Sequence, residues 1–301
     1  MGIYFLGESV GLDCGTEMGD NGGMSLVTDV FACPVCQHDA QACCTHPEGV
    51  LMRCPSCTHC FTDPRTVAAE SYSKEYFRET HKNWFANPNL ELFGEIAKIA
   101  VSKGGGLKVL DVGCGMGDFL LYLRGKEPTF VLTGIDLAAP PSVDGIRFIT
   151  GDFYKTDLGS GFDFVVSLAV IEHVGDIRSF VSRIKALAKP GATVVLMTLN
   201  EGGLIYSVSK WMNVVGFDSV LNRLYSKHHL HHFTTASLRC LVESAGMEVL
   251  SQGTHNFPLA AVDFAECGFV ADRLKSVGVA LLFALGRIWK GAFLQTVVCK
   301  V

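Results

Sequence analysis

Short apolar runs alternate with stretches of helical periodicity along the C-terminal two thirds of this chain. Lys108–Val112, Val131–Asp136, Ile146–Thr150, Phe162–Ser167 and Thr193–Thr198 are each too short for a helix and rich in β-branched or aromatic residues. They predict buried strands, and Met247–Ser251 and Phe293–Cys299 predict two more. Between them, Ile177, Phe180, Val181, Ile184, Leu187 and Ala188 recur at steps near the helical period. They follow Asp176, an N-cap residue, and precede a Pro190–Gly191 stop. Leu238, Leu241 and Val242 mark a second amphipathic helix, capped by Thr234 or Thr235 and ended by Gly246. Strands and helices in alternation predict an α/β fold with a doubly wound parallel sheet. Two insertions break the rhythm: Gly202–His232, rich in aromatics, Met and His, and Pro258–Lys290, mostly apolar.

Upstream, Tyr76, Phe77, Leu90, Leu92, Phe93, Ile96, Ile99 and Ala100 give a helical face that a glycine run at 104–106 ends. Before that, Phe31 to about Pro64 is dense in cysteine and lacks helical periodicity. Seven glycines within the first 23 residues predict a mobile leader. The expected organisation is a flexible leader (1–30), a metal-binding unit (31–65), a helical linker or lid (66–106) and an α/β domain (107–301).

Composition narrows the picture. The chain has 301 residues, 49% hydrophobic and 18% charged, which excludes a wholly disordered polymer. A net charge of −5 disfavours general nucleic-acid binding. Mean hydropathy of +0.30 prompts a search for membrane spans. The longest apolar candidate, Val277–Leu285, falls far short of the roughly 20 residues a spanning helix needs. A peripheral membrane contact through the apolar insertions stays open. The first 29 residues carry five acidic side chains and no basic n-region, so no secretory signal is read. The expected compartment is the reducing cytoplasm, where clustered cysteines read as metal ligands rather than disulfides.

Cys33-Pro-Val-Cys36 and Cys54-Pro-Ser-Cys57, separated by seventeen residues, have the spacing of two thiolate knuckles that together complete a tetrahedral zinc shell. Four thiolates leave no open position, so the zinc would be structural. Cys43, Cys44, His46, His59 and Cys60 are further ligands within reach of the same segment.

The stretch from Val109 to Leu120 is an apolar strand, a glycine turn and a helix start. Gly113, Gly115 and Gly117 let backbone approach a ligand closely, and the helix N-terminus adds unpaired N–H groups. The spacing is G-x-G-x-G rather than the dinucleotide pattern G-x-G-x-x-G. Asp111, two residues before the first glycine, suits a cation and repels a pyrophosphate. Asp136 ends the next strand, where a carboxylate can accept ribose hydroxyls. Gly151-Asp152-Phe153 ends the third and offers a carboxylate and a ring to an adenine.

These residues resemble the class I S-adenosylmethionine-dependent methyltransferases, over about Leu92–Val301. Asp111–Gly117 resembles that family's glycine motif, Asp136 its ribose-binding acid and Gly151-Asp152-Phe153 its adenine-side motif. Ile171-Glu172-His173-Val174 and His228–Phe233 resemble the ubiquinone-biosynthesis-like O-methyltransferases. The resemblance implies a Rossmann-like, seven-stranded sheet with an antiparallel last strand, preceded here by a small zinc-ribbon-like unit. It implies S-adenosylmethionine as cofactor, held by Asp111, Gly113, Cys114, Gly115, Gly117, Asp136, Leu137, Asp152, Phe153 and Ser167. One departure is Leu199-Asn200, where the family often carries Pro-Asn. Cys114 is expected to contribute backbone, not a nucleophile. His173, after strand four, and His229, in a run of four histidines within residues 228–232, are the candidate general bases for a small-molecule acceptor, with oxygen the expected nucleophile. The alternatives are a cofactor-binding or zinc-knuckle interaction module without turnover, a dehydrogenase on a related sheet, and an enzyme that methylates RNA.

Overall fold

The computed structural model describes residues 31–46, 49–66, 82–138, 140, 143–225, 228–262, 269–289 and 291–301. The expected leader at 1–30 and the helical positions Tyr76 and Phe77 lie outside these residues.

A seven-stranded sheet forms the body. Its strands are β5 (Lys108–Val112), β6 (Val131–Asp136), β7 (Ile146–Thr150), β8 (Phe162–Leu168), β9 (Ala188–Leu199), β11 (Glu248–His255) and β12 (Leu294–Lys300). They lie in the order β11-β12-β9-β8-β5-β6-β7. The five strands from β5 to β9 pair in parallel, while β12 runs antiparallel to both β9 and β11. The antiparallel last strand and the Rossmann-like, doubly wound order agree with expectation. Side chains alternate between the faces. Leu110, Val112, Val165, Val194 and Leu196 enter one core; Val109, Phe164, Val166, Val195 and Met197 enter the other. By the same alternation Asp111 faces the side of Val109.

That side is covered by α2 (Leu90–Val101) and α3 (Asp118–Lys126), with the short α1 (Lys82–Ala86) ahead of them. The opposite side is covered by α4 (Ile177–Leu187) and α7 (Thr235–Ser244). The Asp176 carboxylate caps α4 by accepting the Ser179 N–H at 2.9 Å. Thr234 caps α7 in a reciprocal box with Ser237. The chain extends immediately after Leu187, so Pro190–Gly191 lies in the entry to β9 rather than at a helix stop.

A smaller antiparallel sheet precedes the body: β1 (Phe31–Ala32), β2 (Asp39–His46), β3 (Gly49–Arg53) and β4 (Cys60–Thr62). Its fifth strand comes from far along the chain. His231 and His232, at the end of the first predicted insertion, form β10 and pair with Phe61 and Cys60. Cys33, Val35, Met52 and Phe61 share one apolar cluster with Phe180, Phe233 and Leu238. The rest of that insertion forms α5 (Leu204–Val214) and α6 (Ser219–Leu224), and α8 (Phe269–Ile288) follows β11.

Candidate active site and cysteine centre

The sheet order reverses beside β5, where open α/β sheets bind ligands at the carboxyl ends of their strands. A cleft opens there. Asp111, Gly113, Cys114 and Gly115 line its floor; Trp84, Asn87, Leu92, Phe93, Met197 and Phe257 are among its walls. The glycines are sterically required. Gly113, Gly115 and Gly117 all have φ between +54° and +81°. A Cβ on Gly113 would run into Val170, and one on Gly117 would meet the Phe148 ring at 2.5 Å. The turn is tied down from the next strand: the Asp136 carboxylate accepts the Gly115 and Ala138 N–H groups, both at 3.0 Å.

Asp111 is 2% exposed. Burial, with the neighbouring Asp136 charge, pushes its carboxyl up to about 8. Two buried carboxylates beside a glycine cradle make a site complementary to a positive charge. Cys114 is buried, and burial together with both aspartates raises its thiol far above the usual range, which disfavours the thiolate.

The structure gives three of the expected contact residues these local partners. The Phe153 ring is 1% exposed, packed edge-on against Phe180 with the Arg183 guanidinium over its face. It has no face to offer an adenine. The Ser167 hydroxyl donates to the Val112 carbonyl at 2.9 Å and holds β8 to β5. The Asp152 carboxylate accepts the Tyr154 N–H at 2.8 Å. Leu137 is half-buried just after Asp136.

The four predicted cysteine ligands converge. The sulfurs of Cys33, Cys36, Cys54 and Cys57 all lie within 4.8 Å of one another, with Cys33–Cys57 at 3.5 Å and Cys36–Cys54 at 3.4 Å. Four sulfurs around one zinc at about 2.3 Å need spacings of this order. The knuckles repeat one backbone design. The Gln37 N–H donates to the Cys33 carbonyl and the Thr58 N–H to the Cys54 carbonyl, and both residues have positive φ, 65° and 64°. Among the described residues no other such cluster forms. Cys60 packs with Leu51, Tyr206 and Tyr225, and His59 stacks between Phe61 and His231. The His46 side chain lies outside the described residues.

His173 closes a 3-10 turn (Ile171–His173) beyond β8, five residues after Leu168 of the cleft wall. Its Nδ1 lies 2.6 Å from the His228 carbonyl. The His229 ring sits 4.9 Å from it. The two histidines singled out from sequence therefore meet, though neither belongs to the cleft's lining. Glu172 is turned away from His173: it accepts the Thr198 hydroxyl at 2.8 Å, and burial raises its carboxyl to about 7.

Sequence reading missed Trp84, Asn87, Met197 and Phe257 as cleft residues. Trp84 and Phe257 meet edge-on at 5.2 Å, and Asn87 donates to the Ala260 carbonyl at 3.1 Å. The available signal was a lone Trp among asparagines within the predicted helical linker.

Residues 71–252 match the family model described as a methyltransferase domain. The chain is 35% identical over 133 residues to a ubiquinone biosynthesis O-methyltransferase of Chromobacterium violaceum, covering 40% of this chain and 54% of that protein. It is 30% identical over 178 residues to the enzyme of the same name from Pseudoalteromonas translucida, covering 53% and 72%. Among solved structures, Haemonchus contortus phosphoethanolamine N-methyltransferase 2 in complex with S-adenosyl-L-methionine aligns with a TM-score of 0.54 at 14% identity, over 77% of this chain and 60% of that one. Burkholderia thailandensis 1,6-didemethyltoxoflavin-N1-methyltransferase, with S-adenosylhomocysteine bound, aligns at 0.50 and 13% identity, over 82% and 97%.

Proposed function

This chain belongs to the methyltransferase-domain family, as a class I S-adenosylmethionine-dependent methyltransferase, and on that premise we propose that it methylates an oxygen of a small-molecule acceptor. The observation that carries the reading is the buried Asp111 carboxylate at the mouth of a glycine cradle, a place that wants a cation. The O-methyltransferase relatives support oxygen as the nucleophile.

S-adenosylmethionine, when bound, supplies an electrophilic methyl group on a positively charged sulfur. Asp111 would face the positive end of that ligand. The backbone of Gly113, Cys114, Gly115 and Gly117 would cradle it, and Asp136, with Leu137 beside it, would receive the ribose hydroxyls. Asp152 and the Phe153 backbone would border the adenine; Ser167 would hold β8 in place beneath. Trp84 and Phe257 would close over the cleft and exclude water.

For proton removal, the His173 contact with the His228 carbonyl requires the Nδ1 proton in a neutral ring. That leaves Nε2 as the basic nitrogen. His229, packed on the same ring, would share the task or hold the ring in register. Cys33, Cys36, Cys54 and Cys57 would hold a structural zinc. It would take no part in the chemistry, and metal analysis should find one zinc per chain.

Calorimetric titration with S-adenosylmethionine, S-adenosylhomocysteine and NAD tests the reading. Saturable binding of the first two and none of NAD is expected. Absence of binding would leave the non-catalytic module as the better account.

A further inference from the structure

Helix α8 is apolar on two opposite sides. Its inner side faces the body: Phe283 is buried, and Gly286 lies close against the backbone of Gly291 and Ala292. Its outer side carries Val277, Leu281, Ala284 and Ile288, all exposed, Ile288 at 73%. They recur at steps of four, three and four, and in the sequence the same alternation runs back through Leu274 and Val270. These are the a and d positions of a heptad, with a mean period of 3.5. Such a seam is narrow and is turned toward one facing helix. A helix that had only the body to pack against would be polar here. Gly278 adds a second observation. A glycine inside a helix costs about 1 kcal/mol relative to alanine. Gly286 is needed for the close approach of Gly291, but a Cβ on Gly278 would meet nothing within 4 Å. No contact among the described residues asks for this glycine. A second helix crossing beside it would.

We propose that two copies of this chain pair through α8, antiparallel and about a two-fold axis. The seam is its own complement. In an antiparallel pair a positions meet d positions, so Leu281 of one copy packs on the partner's Val277 and the reverse. That register sets Gly278 and Ala280 at the centre, one on each flank of the seam, where small residues let the helices approach. It also matches charge at the ends. Within each copy the Arg287 guanidinium donates to both Glu91 carboxylate oxygens at 3.1 Å. The register brings Arg273, exposed on the same helix, to that ion pair in the other copy. A carboxylate then accompanies the two guanidinium groups at each end of the seam. Arg287 has its carboxylate within the chain already, so a lipid surface would gain little from it. The pairing also reaches the function. Ala280, Ala284 and Arg287 line a second cleft that shares Pro88, Asn89 and Phe257 with the glycine-loop cleft. A helix seated on the seam stands at the edge of that cleft. The proposal rests on the seam and stands apart from the identity of the acceptor.

The test is sedimentation velocity of the full chain across micromolar concentrations. A dimer is expected. Leu281→Glu combined with Ile288→Glu should raise its Kd about tenfold or more while leaving circular dichroism and S-adenosylmethionine binding unchanged. Two further variants read the register. Val277→Glu alone and Leu281→Lys alone should each sediment as monomers, and mixing the two should restore a dimer. Only the antiparallel seam sets the new carboxylate against the new ammonium; a parallel pair would leave each opposite an apolar residue. A monomeric parent would overturn the proposal, as would a dimer that the double variant leaves intact or a mixture that stays monomeric. A monomeric parent that floats with phospholipid vesicles would give the face to a membrane instead.

Discussion

At the scale of single residues, Asp111 carries the sharpest expectation. Burial and Asp136 raise its carboxyl from 3.8 to about 8. The folded, ligand-free protein therefore holds a proton that the unfolded chain has lost. The group's contribution to stability is fully present below the unfolded value and is lost as pH rises toward 8. A cationic ligand binds the ionised form, so S-adenosylmethionine affinity should rise about tenfold from pH 6 to pH 7. Asp111→Asn should flatten that slope, weaken binding, and stabilise the ligand-free protein at pH 8. Calorimetry across pH reads the first two effects and thermal melts the third; a flat wild-type profile would remove Asp111 from the ligand's positive end. His173 makes a different kind of contribution. His173→Ala should lower kcat by about 10²–10⁴ while leaving cofactor affinity intact, the signature of a base rather than a binding group. Equal losses in affinity and turnover would assign it to packing.

At the scale of elements, Glu201 joins the small sheet to the body. It is buried just after β9 and accepts from Arg53 of β3, from Lys210 of α5 and from the Tyr225 hydroxyl at 2.6 Å. The Arg53 and Lys210 contacts hold its carboxyl below the usual range despite burial. The stability it contributes is present above the unfolded value near 4.5 and is lost as pH falls through the lowered folded value. Arg53→Met leaves Glu201 two of three partners, and Arg53 is itself partly solvated, so the expected cost is about 1–3 kcal/mol in urea unfolding. The loss should shrink in acid; one that persists at pH 3 would point to packing instead. This junction was invisible in the sequence, because Arg53 and Glu201 are 148 positions apart and neither sits in a motif. The sheet was legible for the opposite reason. β5, β6 and β8 are buried in a parallel sheet and print as apolar runs with sharp ends. The two-residue β10 has no periodicity to read, and its register comes wholly from β4. Phe153 misled because a motif names a residue without saying which face of the sheet its ring takes.

At the scale of the molecule, the cysteine unit is built into the body rather than tethered to it. The apolar cluster runs from Cys33, Val35, Met52 and Phe61 through Phe233 and Leu238 to Phe180 and Leu196. The Arg178 guanidinium on α4 donates to the Val35 carbonyl, inside the first knuckle, at 2.8 Å. The Thr58 hydroxyl, beside the second knuckle, meets that of Thr234, the cap of α7, at 2.6 Å. β10 begins two residues after His229, the histidine that packs on His173. Without metal, the two turns, each carrying a left-handed residue, keep their backbone hydrogen bonds but are joined at the sulfurs only by weak thiol hydrogen bonds. Chelation, or Cys54→Ser, should therefore loosen the small sheet, β10 and the histidine segment together. For a chain of this size the melting temperature should fall by roughly 5–10 °C in one cooperative transition, with kcat falling more than cofactor affinity. Calorimetric melts of metal-loaded and chelated protein decide the matter. An early, separate transition followed by melting at the original temperature would mean that the cysteine unit folds alone and that its contacts with α4 and α7 carry little energy.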